Sequence, residues 1–249
     1  VADFLTIGFG SSGIAMGDAY VAMANDISSV YWNPAGLAKM TQNEVMFVQQ
    51  PWIVDISMNF IGIGVHLPSI GTMAMNVIYA DYGEMPVTTL EFQEGTGEQF
   101  DASDIAFGLS YGRNLTDWFA VGFSGKYITS RIWHSSATAL AADMGVQINT
   151  SFFSPTGDRK EGLILAMSIS NYGTRMKYDG LDLLNPIDIS LEEAGNFRDT
   201  PGQFRLQEWE LPLIFRLGVA VHPIHTENHR VALAVDALHP NNNSESVNI

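Results

Sequence analysis

Ile105-Ala106-Phe107-Gly108-Leu109-Ser110-Tyr111-Gly112, followed after a short break by Phe119-Ala120-Val121-Gly122-Phe123-Ser124-Gly125-Lys126, sets the character of the whole chain. In an extended strand, successive side chains point to opposite faces. Ile105, Phe107, Leu109 and Tyr111 therefore share one face, and Ala106, Gly108, Ser110 and Gly112 share the other. In the second run Phe119, Val121 and Phe123 oppose Ala120, Gly122, Ser124 and Lys126. Alternation alone would suit a soluble sandwich as well. The nature of the two faces separates the cases: a soluble barrel turns its bulk inward and carries Lys and Glu outside. Here one face is large and apolar, while the other is small and polar with scattered charge. That is the pattern of lipid outside and a crowded or wet lumen inside.

The same contrast repeats on either side. In 140–149, Leu140, Ala142, Met144, Val146 and Ile148 oppose Ala141, Asp143, Gly145, Gln147 and Asn149. In 213–221, Leu213, Phe215, Leu217 and Val219 oppose Ile214, Arg216, Gly218 and Ala220, and 231–237 sets Asp236 on its small-residue face. The run 54–66 slips phase near Phe60-Ile61, which predicts a bulge there. Connections alternate short (68–71, 113–117, 154–162, 222–230) with long (83–101, 177–207) and smaller outer loops (50–54, 133–138, 239–246), as in barrels with tight periplasmic turns. Trp52, Tyr82, Trp118, Trp133, Tyr172 and Trp209 fall near strand ends, where an interfacial girdle needs them. The pattern predicts roughly nine strands and the start of a tenth. Open sheet edges are not tolerated in hydrocarbon, so further C-terminal strands beyond Ile249 are expected to close the barrel.

Composition agrees. Of 249 residues, 46% are hydrophobic and only 16% charged, with 11% aromatic residues and 23 glycines. An ordinary soluble domain carries about 25% charged residues. The net charge of −15 repels a phosphate backbone, which excludes nucleic acid as a main partner. With no cysteine there is neither disulfide nor thiolate metal site. No run of ~18 apolar residues marks a transmembrane helix.

The first 41 residues differ from the rest. They are rich in Gly, Ala, Ser and Met, with a helix-like stretch from Gly13 to Ala24 and a second short helix opening at Pro34. This divides the chain into an N-terminal plug, 1–41, and a β-domain, 42–249. Gly8-Phe9-Gly10-Ser11-Ser12-Gly13 spells G-x-G-x-x-G, but a dinucleotide site needs a preceding strand, a following helix and a second strand ending in an acid. That context is missing, and close packing of a plug against a wall accounts for the glycines. Asn33-Pro34-Ala35 stands under two readings: a gating element, or a helix start capped by Asn33. Asp26 is a candidate partner for a lumen cation, Lys126 or Arg216.

Gly10-Ser11-Ser12-Gly13-Ile14-Ala15-Met16-Gly17-Asp18-Ala19-Tyr20-Val21-Ala22-Met23-Ala24-Asn25-Asp26, leading to Tyr31-Trp32-Asn33-Pro34-Ala35-Gly36-Leu37-Ala38, resembles the opening of the PorV/PorQ family within the wider FadL-like superfamily of outer-membrane proteins. Asp81-Tyr82-Gly83-Glu84-Met85, and Ser110-Tyr111-Gly112 through Lys126-Tyr127-Ile128, extend the likeness. The resemblance implies an all-β, transmembrane antiparallel barrel of fourteen strands in a bacterial outer membrane, its N-terminal segment folded into the lumen as a hatch. FadL-like members pass hydrophobic compounds. PorV-like members serve the type IX secretion system, binding secreted cargo proteins and other outer-membrane components.

The remaining signals read plainly. His222, His225 and His229 fit no tight zinc spacing and suit a solvated turn. Asp179, Asp182, Asp188, Glu192 and Glu193 lack the fixed spacing of a calcium loop. The same loop carries Leu181, Leu183, Leu184, Ile187, Ile189 and Leu191, with Trp209 beyond it. Such a cluster needs cover: the barrel mouth, a hydrophobic ligand or a protein partner. No nucleophile-elbow motif appears, and Lys126, Asp143 and Arg216 read as lumen lining, so neither catalysis nor a cofactor is expected. The expected gating residues are Asp26, Asn33, Pro34, Ala35 and Gly36. Two functions follow: a barrel holding or shuttling protein partners, with lipids around it, or a passage for a hydrophobic small molecule. Inner faces of Gly, Ala, Ser and polar residues favour the first, because an apolar cargo needs a continuous apolar pocket.

Overall fold

Alternation of large and small side chains becomes a single antiparallel meander. The computed structural model describes residues 1–54, 56–154, 157–159, 162–187, 200–225 and 229–249. Its strands are β1 (Glu44–Pro51), β2 (Ser57–Leu67), β3 (Gly71–Pro86), β4 (Gln99–Thr116), β5 (Phe119–Ile132), β6 (Ser135–Asn149), β7 (Ile164–Gly173), β8 (Asp179–Gly180), β9 (Leu184–Ile187), β10 (Thr200–Gln203), β11 (Ile214–His225), β12 (Arg230–Pro240) and β13 (Ser246–Asn248). The main sheet runs β1 to β7 in order, then β11, β12 and the three-residue β13, with β8 beside β6. β9 and β10 form a separate two-stranded ribbon. β1 and β13 end the path without pairing to one another, so the described residues form an open sheet. No described helix is long and apolar enough to cross a membrane, which says nothing about crossing by strands.

The two faces separate as the alternation predicts. Ala106, Ser110, Ala120, Ser124, Ala141 and Ala220 are buried on the face that carries residues 1–41, the inner face. Phe107, Leu109, Phe123, Leu140, Met144 and Leu217 stand exposed on the other. Each such side chain moved from water into hydrocarbon contributes about 1.5–3 kcal/mol. A continuous apolar face across neighbouring strands is therefore paired with lipid rather than with water. β3 to β6 span 16, 18, 14 and 15 residues. A tilted membrane strand needs only about 9–11, so their ends project beyond the hydrocarbon.

Several expectations are corrected. No bulge interrupts β2 at Phe60-Ile61, because its register with β1 and with β3 is unbroken. The apparent slip arises because Met58 and Phe60, both large, face inward. There Phe60 stacks on Phe9 at 5.5 Å. Tyr82 does not join an outer girdle. A register shift between Asp81 and Glu84, with Gly83 at φ +74°, turns its ring inward to donate to Asp104 at 2.7 Å. The connection expected over 133–138 shrinks to a two-residue turn, Trp133-His134. β11 continues to His225, so His222 lies buried in a strand and not in a solvated turn.

An arginine on the outer face tests the lipid assignment. Phe107→Arg should destabilise the protein by about 2–4 kcal/mol in a bilayer, the cost of a cation near the midplane. Reversible urea unfolding from lipid vesicles reads this directly. A change under about 0.5 kcal/mol, as on a watery surface, would remove this face from the membrane.

Candidate functional site

Residues 1–41 lie against the inner face as a string of short turns. They hold 3-10 helices at Asp3–Thr6 and Pro34–Lys39, with α1 (Ser11–Ala15) and α2 (Ser29–Trp32) between. The helix expected from Gly13 to Ala24 stops at Ala15. Gly17 and Asp18 follow with φ of +59° and +66°, a left-handed pair that ends a right-handed helix. The glycines of the G-x-G-x-x-G letters serve an indole. A Cβ on Gly8 or Gly13 would lie 2.9 or 2.5 Å from the Trp32 ring, whose Nε1 donates to the Phe9 carbonyl at 2.8 Å.

Asn33 joins segment and wall. Its Oδ1 accepts from Ala35 N at 3.1 Å, and its Nδ2 donates to the carbonyls of Val21 and Val146 at 3.1 and 3.2 Å. The helix beginning at Pro34 packs on β4, β5 and β6. The wall meets it with glycine: a Cβ on Gly122 would overlap the Pro34 carbonyl, one on Gly145 the Asn33 amide, and one on Gly112 would come within 2.7 Å of Leu37. Gly125, on the outer face, has nothing within 4 Å. Within the segment, Gly36 fits closely against the Ala24 carbonyl and Ser29, and Ala35 is fully buried.

Wall side chains hold the segment's backbone. Asp236 accepts from Val21 N at 2.8 Å, and Gln147 donates to the Ala22 carbonyl at 2.6 Å. Asn114 donates to the Ala38 carbonyl at 2.8 Å, and Ser168 to that of Trp32 at 3.1 Å. Sequence reasoning did not select these four. Their signal was a polar residue placed among Gly and Ala on the small face of a strand.

The charged groups resolve differently from the expectation. Lys126 pairs with Asp143 at 2.7 Å and donates to Asn171 at 2.9 Å. Asp143 also accepts from Asn171 N at 2.7 Å. Arg216, only 2% exposed, donates to Ser170 at 3.2 Å, and its guanidinium lies over the Tyr31 and Trp32 rings at 5.4 and 5.9 Å. Asp26 pairs with neither cation. It accepts from the Ser28 backbone at 2.9 Å and from the Ser28 hydroxyl, closing a local turn.

At the other end of the sheet, the connection from β7 to β11 forms the second feature. Met176 and Trp209 exchange backbone hydrogen bonds of 2.8 Å, with Met176 buried and Trp209 exposed. A 3-10 turn, Leu181–Leu183, leads into the β9–β10 ribbon. Asp182 fixes its base by accepting from His134 N and Nδ1, both at 3.0 Å, and from Ser135 at 3.1 Å. Burial acts to raise the Asp182 carboxyl, but these bonds outweigh it and hold it below the usual carboxylate range. Leu183 is half-buried, whereas Leu181, Leu184, Ile187 and Phe204 are exposed. Asp188, Ile189, Leu191, Glu192 and Glu193 lie outside the described residues. Among the described residues no group of three His, Asp or Glu side chains could hold a metal ion.

The fit of segment to wall is testable. Gly145→Val should push Asn33 away, at about 1–3 kcal/mol or more for overpacking, and open 1–41 to limited proteolysis, while Gly125→Val leaves cleavage unchanged. Lys126→Met should cost about 3–5 kcal/mol by leaving Asp143 buried without its cation. Equal protease resistance in both glycine variants would show that the segment does not depend on that contact.

No curated protein matches the chain. The family match is to type IX secretion system protein PorV and spans residues 1–200, which include the N-terminal segment and strands β1 to β9. The chain belongs to the PorV family.

Proposed function

We propose that this protein is an outer-membrane β-barrel of a type IX secretion system that holds or shuttles protein partners at the cell surface through its outer-loop face. PorV-family membership supports the secretion role, and the strand-built, lipid-compatible outer face supports the location. The observation that carries the partner role is the β9–β10 ribbon. It pairs with no third strand among the described residues, and it presents Leu181, Leu184, Ile187 and Phe204 to solvent. An isolated two-stranded ribbon is marginal in water, and an apolar patch of this kind is stabilised when something covers it. Trp209, exposed beside the ribbon's base, adds an aromatic anchor of the sort that dominates protein interfaces.

In this role residues 1–41 act as a hatch and 42–249 as barrel wall of the fourteen-stranded FadL-like type. Asp26, Asn33, Pro34, Ala35 and Gly36 keep the hatch seated, and Lys126, Asp143 and Arg216 line the lumen. Membrane lipids cover the outer face. Passage of a hydrophobic compound has less support, because the inner face meets the segment with glycine, polar side chains and a buried ion pair.

Replacing 181–204 by a short Gly/Ser linker should remove co-purifying proteins from gently solubilised membranes by about tenfold or more, the loss expected when an interface loses its anchors. The barrel itself should remain folded. Undiminished co-purification of the same proteins would sink the ribbon as their contact.

A further inference from the structure

An open pocket of about 620 Å³ lies at the outer mouth, beside the ribbon's base, where the upper ends of β3, β4 and β5 meet Tyr178. Its wall is apolar, built from Val54, Met85, Phe100 and Ile132. Its floor is not. Asp104 is only 8% exposed and takes a hydrogen bond from the Tyr82 hydroxyl at 2.7 Å, and Glu84, itself exposed, joins the lining. Gly83, at the bulge between Asp81 and Glu84, sets both Tyr82 and Glu84 toward this space. The one guanidinium in the lining, Arg131, is already paired with Asp101. Among the described residues no cation pairs with Asp104 or Glu84.

A carboxylate buried to this degree is costly unless an opposite charge meets it. A small hydrated cation would leave the apolar wall uncovered, and a purely apolar occupant would strand the buried Asp104. What satisfies both surfaces is a positive group joined to an apolar body. We propose that this pocket receives a lysine or arginine side chain and its apolar neighbour from an extended segment of a protein partner. The cation meets Asp104 and Glu84, and the neighbouring side chain lies against Phe100 and Ile132. The segment is one offered by the partners inferred above, so the pocket assignment depends on that role and gives it a chemical preference. The chain's net charge of −15 steers basic segments toward the mouth.

The test uses the full chain in lipid nanodiscs, titrated calorimetrically with the capped tetrapeptide Gly-Phe-Arg-Gly and with twins carrying Glu or Gln in place of arginine. Hexylamine serves as a small-molecule control. The arginine peptide should bind at least about tenfold more tightly than either twin, the worth of one charged hydrogen-bonded pair. Asp104→Asn should remove most of that preference. It keeps the shape and an acceptor for Tyr82, so folding is retained, and unchanged urea unfolding checks this. Glu84→Gln should give a smaller loss.

Equal binding of the three peptides, an arginine preference untouched by Asp104→Asn, or no peptide binding at millimolar concentration overturns the assignment. Binding of hexylamine alone overturns it in favour of a small amine ligand. Any of these results with native partners still co-purifying refutes the pocket and leaves the partner role standing. Loss of native partners from the unaltered chain would refute the role itself.

Discussion

The close approach of the N-terminal backbone to the strand wall is the constraint from which the rest follows. Pro34 and its neighbours lie where Gly112, Gly122 and Gly145 offer no side chain. Where the wall accepts a backbone at that distance it carries glycine, and most other inner positions are Ala, Ser or polar, although Met58, Phe60, Ile78 and Ile128 are also buried on that face. Strands that are small inside have only their outer positions left for Phe, Leu, Met and Val. Such a sheet keeps a core between segment and wall, around Phe9, Trp32, Phe60 and Ile128, yet still has large apolar side chains left over on its other face. Its apolar bulk faces outward, and hydrocarbon is the environment that compensates. Membrane location and the filled interior are thus one fact seen from two sides.

The polar groups of the inner face follow the same logic. Segment and strands bring unpaired backbone groups into a space with little water, and each must be satisfied. Asp236, Gln147, Asn114 and Ser168 do this from the wall, and Asn33 does it from the segment. Lys126 and Asp143 neutralise each other, while Arg216 rests on Tyr31 and Trp32, whose ring faces suit a guanidinium.

Local alternation made the sheet legible. Phe107 against Gly108, or Leu140 against Ala141, declares both the strand and its lipid face without any long-range knowledge. Where side-chain size on the inner face depends on the distant segment, the pattern misleads. Met58 and Phe60 are large because Phe9 comes to meet them, and a reader of β2 alone sees a bulge. The helix after Gly13 was overestimated because helical spacing does not reveal that Gly17 and Asp18 take left-handed angles. Asp26 looked like a partner for a lumen cation, yet a neighbour two residues away serves it better, and a strand-to-strand pair had already taken Lys126. Tyr82 looked interfacial, and one glycine turned it inward. The Asp104 pocket was not legible at all, since its parts come from five separated stretches of chain.

How firmly the segment is held bears on what the molecule does. Each wall-to-backbone hydrogen bond contributes about 0.5–1.5 kcal/mol, and a buried group left without its partner costs about 1–3 kcal/mol. Beside these bonds stand Phe9, Tyr31 and Trp32, buried together and joined to Phe60. Exposing three such rings costs several kcal/mol more. Displacing the whole segment would therefore consume a free energy comparable to the stability of an entire domain, which no weakly bound apolar solute supplies. The exposed apolar side chains of the ribbon and the open pocket at the mouth lie apart from these contacts. The proposed partner role leaves this tightly bonded segment in place, whereas a path through the sheet would have to break its contacts.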